Sequence, residues 1–327
     1  MTVTKVSVTG VKILAVCLVF ALCSIVGGVL SGLDKVGQRE PPSSSNIQQA
    51  PQTQTPASLV TEGPTKAQSP QTPQNLAFAF LAFSLCSGVV VSYVILRSSW
   101  YRWPLIGAIF IGIYGIATVA TQIESIFFLS DKLPRGLIKA VFLQGAIAAA
   151  MFSPLAVLLL GKWRTASQVP ESSAPLRMGA ASAAWRLALI VVAFVFLYMF
   201  FGYYVAWQNP ALRAYYGGPA YTDFFASLKA NWIYHPWIYP LQVFRALVYI
   251  ACLYPLIRML RGGRPETAFA VALFLSVWTT VLLLPNPVMP SSVARSHFWE
   301  TLGFSLVFGA LVGWLLCRQN QASVASA

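Results

Sequence analysis

Residues 185–207 read WRLALIVVAFVFLYMFFGYYVAW, and Arg186 is the one charged side chain in this stretch. A transmembrane helix needs about 20 mostly apolar residues, so the stretch predicts a helix that crosses a bilayer. The composition agrees, because 57% of the 327 residues are hydrophobic and 9% are charged, whereas about 25% of residues are charged in an ordinary soluble domain. The chain is therefore predicted to be a membrane protein.

Other stretches of the sequence have the same length and apolar character. They are residues 13–33, 76–96, 104–125, 139–160, 240–260, 267–284 and 291–317, the last beginning at Ser291 or at His297. Together they predict an all-α fold, a polytopic membrane helix bundle of about eight transmembrane helices. A seven-span alternative remains, because Lys5 and Lys12 precede the first apolar stretch, as in a removable signal peptide.

The basic residues predict the orientation of the bundle. The formal net charge is +13, and Lys and Arg beside apolar spans favour the cytoplasmic side. Arg258, Arg261 and Arg264 fall on that side when the N-terminus is cytoplasmic. We therefore expect a multi-pass protein of the cell (inner) membrane with both termini cytoplasmic. Topology explains the basic charge, so the lipid bilayer is the expected partner and nucleic acid is not.

A polar tract divides the chain into three parts. Residues 34–75 are rich in Pro, Gln, Ser and Thr, a composition that cannot bury enough apolar surface to offset chain entropy. The sequence thus predicts an N-terminal transmembrane helix at 1–33, a disordered external tether at 34–75 and a seven-helix membrane domain at 76–327. Gly28 and Gly32 form a Gly-x-x-x-Gly pair that could bring the first helix close to another helix.

The segment 208–239 is predicted to be an aromatic loop on the outer side. Tyr and Trp favour the headgroup region of a membrane, and this segment is dense in both. Asp223 can cap a helix, and apolar residues recur at helical spacing up to Trp232. The sequence predicts an interfacial helix between Asp223 and Trp232. The loop either anchors the protein or forms a lid or wall for an acyl chain.

Polar residues that are costly inside a membrane recur at one depth, near the outer ends of four predicted spans. Such residues are candidates for function by default. The set consists of Gln122, Glu124, Gln144, Gln242, Arg245, His297 and Glu300. Trp207 and Asn209 lie at the rim of the same layer. We predict substrate-binding roles for Arg245, Gln144, Gln242, Gln122, Trp207 and Asn209.

The charged members of this layer suggest two kinds of chemistry. Arg245 should pair with Glu124 or Glu300, because an unpaired guanidinium among apolar helices is strongly unfavourable. His297 and Glu300 share one helix face at i, i+3 spacing. With Glu124 they are the predicted catalytic residues, either as ligands of a divalent metal, zinc or iron, or as an acid–base pair without metal.

Three functions are compatible with this sequence. The first is an enzyme that acts on a lipid or lipid-linked substrate at the outer leaflet. The second is a non-enzymatic binder or transporter of an anionic amphiphile or of protons. The third is a structural assembly partner in which the polar layer fixes helix packing. The sequence does not choose among them.

Overall fold

The computed structural model describes residues 2–36, 73–130, 133–163, 179–285 and 289–317. The predicted tether, 34–75, lies outside these ranges except for residues 34–36 and 73–75, which are helical. Within the described part, eight helices are long and apolar enough to span a membrane, as predicted. They are Val8–Ser31, Asn75–Leu96, Arg102–Leu129, Leu137–Leu159, Ala180–Ala206, Ile238–Met259, Arg264–Leu283 and Ser291–Leu316.

The helical elements are numbered in chain order, and three of the spans contain a change of helix type. The α-helices are α1 (Thr2–Ser31), α2 (Leu33–Val36), α3 (Pro73–Leu96), α4 (Arg102–Ile113), α5 (Thr121–Leu129), α6 (Leu137–Leu159), α7 (Ala180–Phe201), α8 (Pro210–Tyr216), α9 (Phe224–Tyr234), α10 (Ile238–Met259), α11 (Arg264–Val277) and α12 (Ser291–Leu316). Between them, Tyr114–Ala120 and Gly202–Ala206 are π-helical, and Trp278–Leu283 is a 3₁₀ helix.

The first helix packs into the same core as the other spans. The Phe20 ring on α1 lies 5.1 Å from the Phe152 ring on α6 and 5.7 Å from the Phe83 ring on α3. The predicted close approach through Gly28 is wrong, because a Cβ on Gly28 would meet nothing within 4 Å. Gly27 makes the approach instead, since its Cβ would lie 2.9 Å from the backbone oxygen of Gln144.

Helices α11 and α12 pack closely against each other through small residues. A Cβ on Gly309 would lie 2.7 Å from Cα of Ala272, and a Cβ on Gly313 would lie 2.7 Å from Cα of Ala268. Lipid tails are as apolar as Leu, so helix association in a membrane depends on such van der Waals contact rather than on the hydrophobic effect.

The two ends of the bundle differ in chemistry. At one end, the turn after α3 meets the turns after α6 and α10: the Ser99 amide donates to the Met259 carbonyl (2.6 Å), and Lys162 Nζ donates to the Ser98 carbonyl (2.8 Å). We call this the basic end. The other end carries α8 and α9, and we call it the aromatic end. Both the beginning of α1 and the end of α12 lie at the basic end, where Cys317 Sγ contacts the Gly262 carbonyl (3.8 Å).

The predicted helix in the aromatic loop exists as α9. Asp223 caps it, with Oδ1 accepting a hydrogen bond from the Ala226 amide at 2.8 Å. Phe224 packs on the Tyr204 ring at 5.6 Å, whereas Phe225 and Trp232 are 76% and 66% exposed. Exposed apolar rings on a capped helix are the features that an interfacial helix requires; its position in a membrane interface stays a prediction.

The cap of α9 gives a direct test of this element. Replacing Asp223 with Ala removes the acceptor for the Ala226 amide, and such a loss costs about 1 kcal/mol of helix stability. We expect amide hydrogen exchange across Phe224–Tyr234 to become about 5-fold faster. Asp223→Asn keeps the acceptor and should leave the exchange rates unchanged. Equal rates in the Ala variant would show that the cap does not stabilise α9.

Candidate functional site

The structure forms an ion pair between α10 and α5. Arg245 Nη2 donates to Glu124 Oε2 at 2.9 Å, and Arg245 Nη1 lies 2.8 Å from Glu124 Oε1. Arg245 Nη1 also donates to Gln242 Oε1 at 2.8 Å, one turn earlier on α10. The Arg245 side chain is 6% exposed and that of Glu124 is 31% exposed. The predicted pairing of Arg245 is confirmed, and Glu124 rather than Glu300 is its partner.

A π-helix sets the direction in which Glu124 points. The segment Tyr114–Ala120 lies directly before α5, and each extra residue in a turn rotates the residues that follow by about 100° relative to an ideal α-helix. The Thr121 hydroxyl donates to the Ile116 carbonyl (2.9 Å) and to the Ala117 carbonyl (3.1 Å), so it occupies acceptors in the π segment. Such π-bulges frequently occur at functional sites.

A second set of polar side chains links α12 to α8. His297 Nδ1 lies 2.7 Å from Glu300 Oε2, which confirms that the two residues share one face of α12. His297 Nε2 lies 3.0 Å from the Tyr216 hydroxyl. Both ring nitrogens are therefore occupied, one by a carboxylate and the other by a phenol.

The hydrogen bonds of His297 with Glu300 and Tyr216 limit where the protons of the imidazole and the phenol can lie. When Nδ1–H donates to the Glu300 carboxylate, a neutral imidazole can accept the Tyr216 proton at Nε2, and an imidazolium would instead donate there. Burial raises the pKa of the Tyr216 phenol, and the carboxylates of Glu124 and Glu300 raise it further. Tyr216 therefore keeps its proton, so its hydroxyl can donate to Nε2 of a neutral His297 or accept a hydrogen bond from an imidazolium.

Tyr198 on α7 connects the two groups. Its ring centroid lies 5.8 Å from Cζ of Arg245, and its phenol interacts electrostatically with Glu124, Arg245 and Glu300. The π-helix that follows α7 also approaches Glu300, because a Cβ on Gly202 would lie 3.5 Å from Glu300 Oε1. The polar layer is thus one connected cluster of side chains from α5, α7, α8, α10 and α12, and we call it the polar cluster.

The cluster lies below the aromatic end of the bundle. Arg245 is seven residues into α10 and Glu300 is nine residues into α12, and a rise of 1.5 Å per residue places them roughly 10 and 13 Å from the starts of these helices. The charged groups therefore lie closer to the aromatic end of α10 and α12 than to the midpoints of these helices.

Two of the predicted substrate-binding residues have structural partners. Trp207 Nε1 donates to the Pro219 carbonyl (2.9 Å). Asn209 caps α8 through Oδ1, which accepts from the Ala211 amide (2.9 Å), and its Nδ2 donates to Ser296 Oγ (2.7 Å) on α12. These bonds fix α8, and hence Tyr216, against His297. The polar atoms of Trp207 and Asn209 thus hold the aromatic end in place.

The two predicted glutamines outside α10 sit differently from Gln242. Gln242 is fully buried beside Arg245. The backbone of Gln144 on α6 faces Gly27 of the first helix, and Gln122 is half-buried near the start of α5. A substrate-binding role for Gln122 or Gln144 stays a prediction.

The metal hypothesis receives no support from the geometry. Within the ranges that the structure describes, no three His, Cys, Asp or Glu side chains come close enough together to hold a metal ion. The physical reason is that Arg245 occupies both carboxylate oxygens of Glu124, so Glu124 does not join His297 and Glu300 as a third ligand.

Tyr198 and Tyr216 are members of the cluster that the sequence did not indicate as site residues. Tyr216 was visible as one of many aromatic residues in the segment 208–239, and Tyr198 as one of many in the fifth span. Tyr is common near membrane interfaces, so the residue type alone does not identify a member of a functional site. Their roles depend on contacts with distant parts of the chain: Tyr216 contacts His297, 81 positions away, and Tyr198 contacts Arg245 on α10.

The fold and the cluster define a class of protein: a multi-pass, all-α membrane helix bundle with a buried polar cluster near one end. No protein family, curated protein or solved structure that was compared with the chain matches it.

Proposed function

We propose that this protein lies in the inner membrane with both termini cytoplasmic, and that its polar cluster is an acid–base site for a lipid or lipid-linked substrate at the outer leaflet. The observation that carries the proposal is the occupation of both His297 nitrogens, by Glu300 at 2.7 Å and by Tyr216 at 3.0 Å. A carboxylate on Nδ1 fixes the tautomer and orientation of an imidazole, as it does for the general base of catalytic triads.

In this proposal each residue has a separate task. His297 is the proton-exchanging group, because imidazole titrates near neutral pH. Glu300 is a positioning residue that holds its ring, and the Tyr216 hydroxyl on Nε2 passes the proton between His297 and the substrate. Glu124, with 31% of its side chain exposed, is the most accessible carboxylate of the cluster and, paired with Arg245, orients the substrate. Apolar rings of the aromatic end, such as Phe225, cover an acyl chain.

A second function is favoured by two buried donors. Gln242 Nε2 and Arg245 Nε are buried and have no hydrogen-bond partner. Unsatisfied buried donors cost roughly 1–3 kcal/mol each, and an acceptor on a ligand would relieve that cost. The alternative proposal is therefore a carrier or binder in which α10 holds the anionic group of an amphiphile and no bond is made or broken.

The experiment begins with lipids that purify with the full-length protein and are identified by mass spectrometry. These lipids are returned to the protein in liposomes, and both their binding and their conversion are followed. For the enzyme, we expect His297→Gln to lower conversion at least about 100-fold, the range of a lost general acid or base, with binding retained. His235→Gln, in the loop before α10, is the matched control.

The other outcomes separate the alternatives. Specific binding without conversion, sensitive to Gln242→Leu, would replace the enzyme with the carrier. Unchanged conversion in His297→Gln would remove His297 from the chemistry. If the protein retains no lipid and His297→Gln only lowers stability, the cluster is structural and both functional proposals fail.

A further inference from the structure

The basic end carries a surplus of positive charge that the polar cluster does not use. Among the residues that the structure describes there, the cations include Lys12, Arg97, Arg102, Lys162, Arg186, Arg258, Arg261 and Arg264. The carboxylate of Glu266 forms an ion pair with Arg97. The described part of this end holds no second Asp or Glu, so its positive charge exceeds its negative charge.

A turn at Gly161 directs the Lys162 side chain towards the helix bundle. Gly161 has a left-handed backbone (φ +74), and the Lys162 amide donates to the Val157 carbonyl (2.9 Å), the bonding pattern of a Schellman motif. The side chain is 9% exposed and its Nζ donates to the Ser98 carbonyl at 2.8 Å. The ammonium group is thus fixed in place rather than free in solvent.

Two cations share one aromatic ring beside this turn. Lys162 Nζ lies 4.8 Å from the Tyr101 ring centroid, and Arg261 Cζ lies 5.9 Å from it on an exposed residue. Arg261 Nη2 donates to the Tyr101 hydroxyl (2.7 Å). Burial and the charge of Arg261 lower the pKa of Lys162 to about 8, so the folded protein holds this charge at a cost that a bound anion would remove.

Neighbouring groups add further donors. Arg102 Nε donates to the Trp163 carbonyl (3.0 Å), and Lys12 Nζ would lie 3.8 Å from a Cβ on Gly161. The Nε atoms of Arg258 and Arg264 are buried without a hydrogen-bond partner. Arg102 and Lys12 therefore place further positive charge beside the Lys162 turn, where an anionic acceptor would be favoured.

Two tryptophans indicate that the basic end lies at the level of the lipid headgroups. The Trp103 and Trp163 rings meet edge to face at 5.4 Å, and Trp103 is 69% exposed. Trp is enriched where headgroups begin, and basic pockets between transmembrane helices recognise anionic lipid headgroups. The phosphate of a lipid is the anion that occurs at this depth.

We propose that the basic end binds the phosphate group of an anionic phospholipid, held by Lys162 and Arg261 beside Tyr101, with Lys12 and Arg102 completing the positive rim. The acyl chains of that lipid then lie along the apolar surface of the spans. This site is independent of the polar cluster, which lies at the opposite end of the bundle.

The test measures lipid binding to the full-length protein in detergent by native mass spectrometry, with phosphatidylglycerol and phosphatidylcholine as the two probes. A basic residue near a membrane surface contributes about 1 kcal/mol to the attraction of anionic lipid. We therefore expect Lys162→Gln with Arg261→Gln to weaken phosphatidylglycerol binding about 30-fold and to leave phosphatidylcholine binding unchanged.

The matched control removes the same charge from the aromatic end. Arg135→Gln with Lys139→Gln changes two exposed cations, one in the turn before α6 and one in the first turn of α6, and should change binding by less than about 2-fold. If the Lys162 variant does not fold, Arg261→Gln alone, on an exposed residue, should weaken phosphatidylglycerol binding about 5-fold. Equal affinity for the two lipids in the wild-type protein, or an equal loss in the control, would overturn the proposal.

Two further measurements distinguish the source of the phosphate and the role of Lys162. Millimolar inorganic phosphate should not displace phosphatidylglycerol; full displacement would mean that a free anion is the ligand. The titratable and charged groups around Lys162 in the described residues are Lys12, Tyr101, Arg102 and Arg261. Since Lys162 loses its charge above about pH 8, lipid binding should weaken between pH 7 and 9.5, and Lys162→Arg should abolish that dependence.

Discussion

Replacing Glu124 with Ala is expected to lower the free energy of unfolding by about 3 kcal/mol, the lower end of the range for removing one partner of a buried ion pair. The change leaves Arg245, 6% exposed, without its carboxylate. Because Glu124 is itself 31% exposed, water can reach part of the vacated site, which keeps the loss at the lower end. The measurement is reversible unfolding of the purified protein in mixed micelles.

A double-mutant cycle separates the pair from its surroundings. In Glu124→Ala with Arg245→Met the uncompensated charge is gone, so we expect most of the lost stability to return. Arg97→Gln supplies the matched control, because the Arg97–Glu266 pair has side-chain exposures of 48% and 29%, and exposed pairs contribute about 0–1 kcal/mol. Equal losses in the Glu124 and Arg97 variants would show that the α5–α10 pair is not desolvated in the folded protein.

This prediction also bears on the function of the polar cluster. If Glu124→Ala destabilises the protein while His297→Gln does not, the ion pair fixes helix packing and the histidine is available for chemistry. If both changes destabilise it to the same extent, the whole cluster is a packing device, and the acid–base proposal loses its physical basis.

Replacing Gly309 with Val is expected to cost about 3 kcal/mol, the upper part of the usual range for overpacking. A Cβ at this position would lie 2.7 Å from Cα of Ala272 and 3.0 Å from the Val271 carbonyl oxygen. Both are backbone atoms, so no side chain can turn away and α11 must separate from α12. The same unfolding measurement in mixed micelles reports the loss.

A glycine in open space provides the control for this change. Nothing lies within 4 Å of a Cβ on Gly28, and Gly inside a helix is about 0.5–1 kcal/mol less favourable than Ala. Gly28→Ala should therefore leave stability unchanged or raise it slightly. If Gly309→Val were tolerated as well as Gly28→Ala, the close packing of α11 and α12 would be disproved.

Local sequence features predicted the helices, the cap of α9 and the contact between His297 and Glu300. The spans follow from runs of apolar residues, such as 185–207, that exceed the length a bilayer requires. Helix α9 follows from the cap residue Asp223, and the contact between His297 and Glu300 follows from i, i+3 spacing. Each of these depends on residues that are close in the chain, so no knowledge of neighbouring helices was needed.

The partners of the cluster required contacts between distant helices. Arg245 had two candidate carboxylates in the sequence, and the choice of Glu124 depends on the π-helix Tyr114–Ala120, for which no sequence signal was recognised. In the same way, Gly27 rather than Gly28 faces α6. A rotation of one residue, about 100°, changes which side chain faces the neighbour, and apolar composition does not encode that rotation.

The chain by itself determined that it forms about eight membrane-spanning helices, because hydropathy and length depend only on consecutive residues. It also determined that charged side chains recur near the ends of several spans. Only the tertiary structure decided which of these side chains are in contact. The contacts are Glu124 with Arg245, His297 with Glu300 and Tyr216, and Lys162 and Arg261 with the Tyr101 ring. The physical reason is that such contacts depend on how each helix is rotated against its neighbours, and this rotation is set by close packing of small residues and by local π-turns.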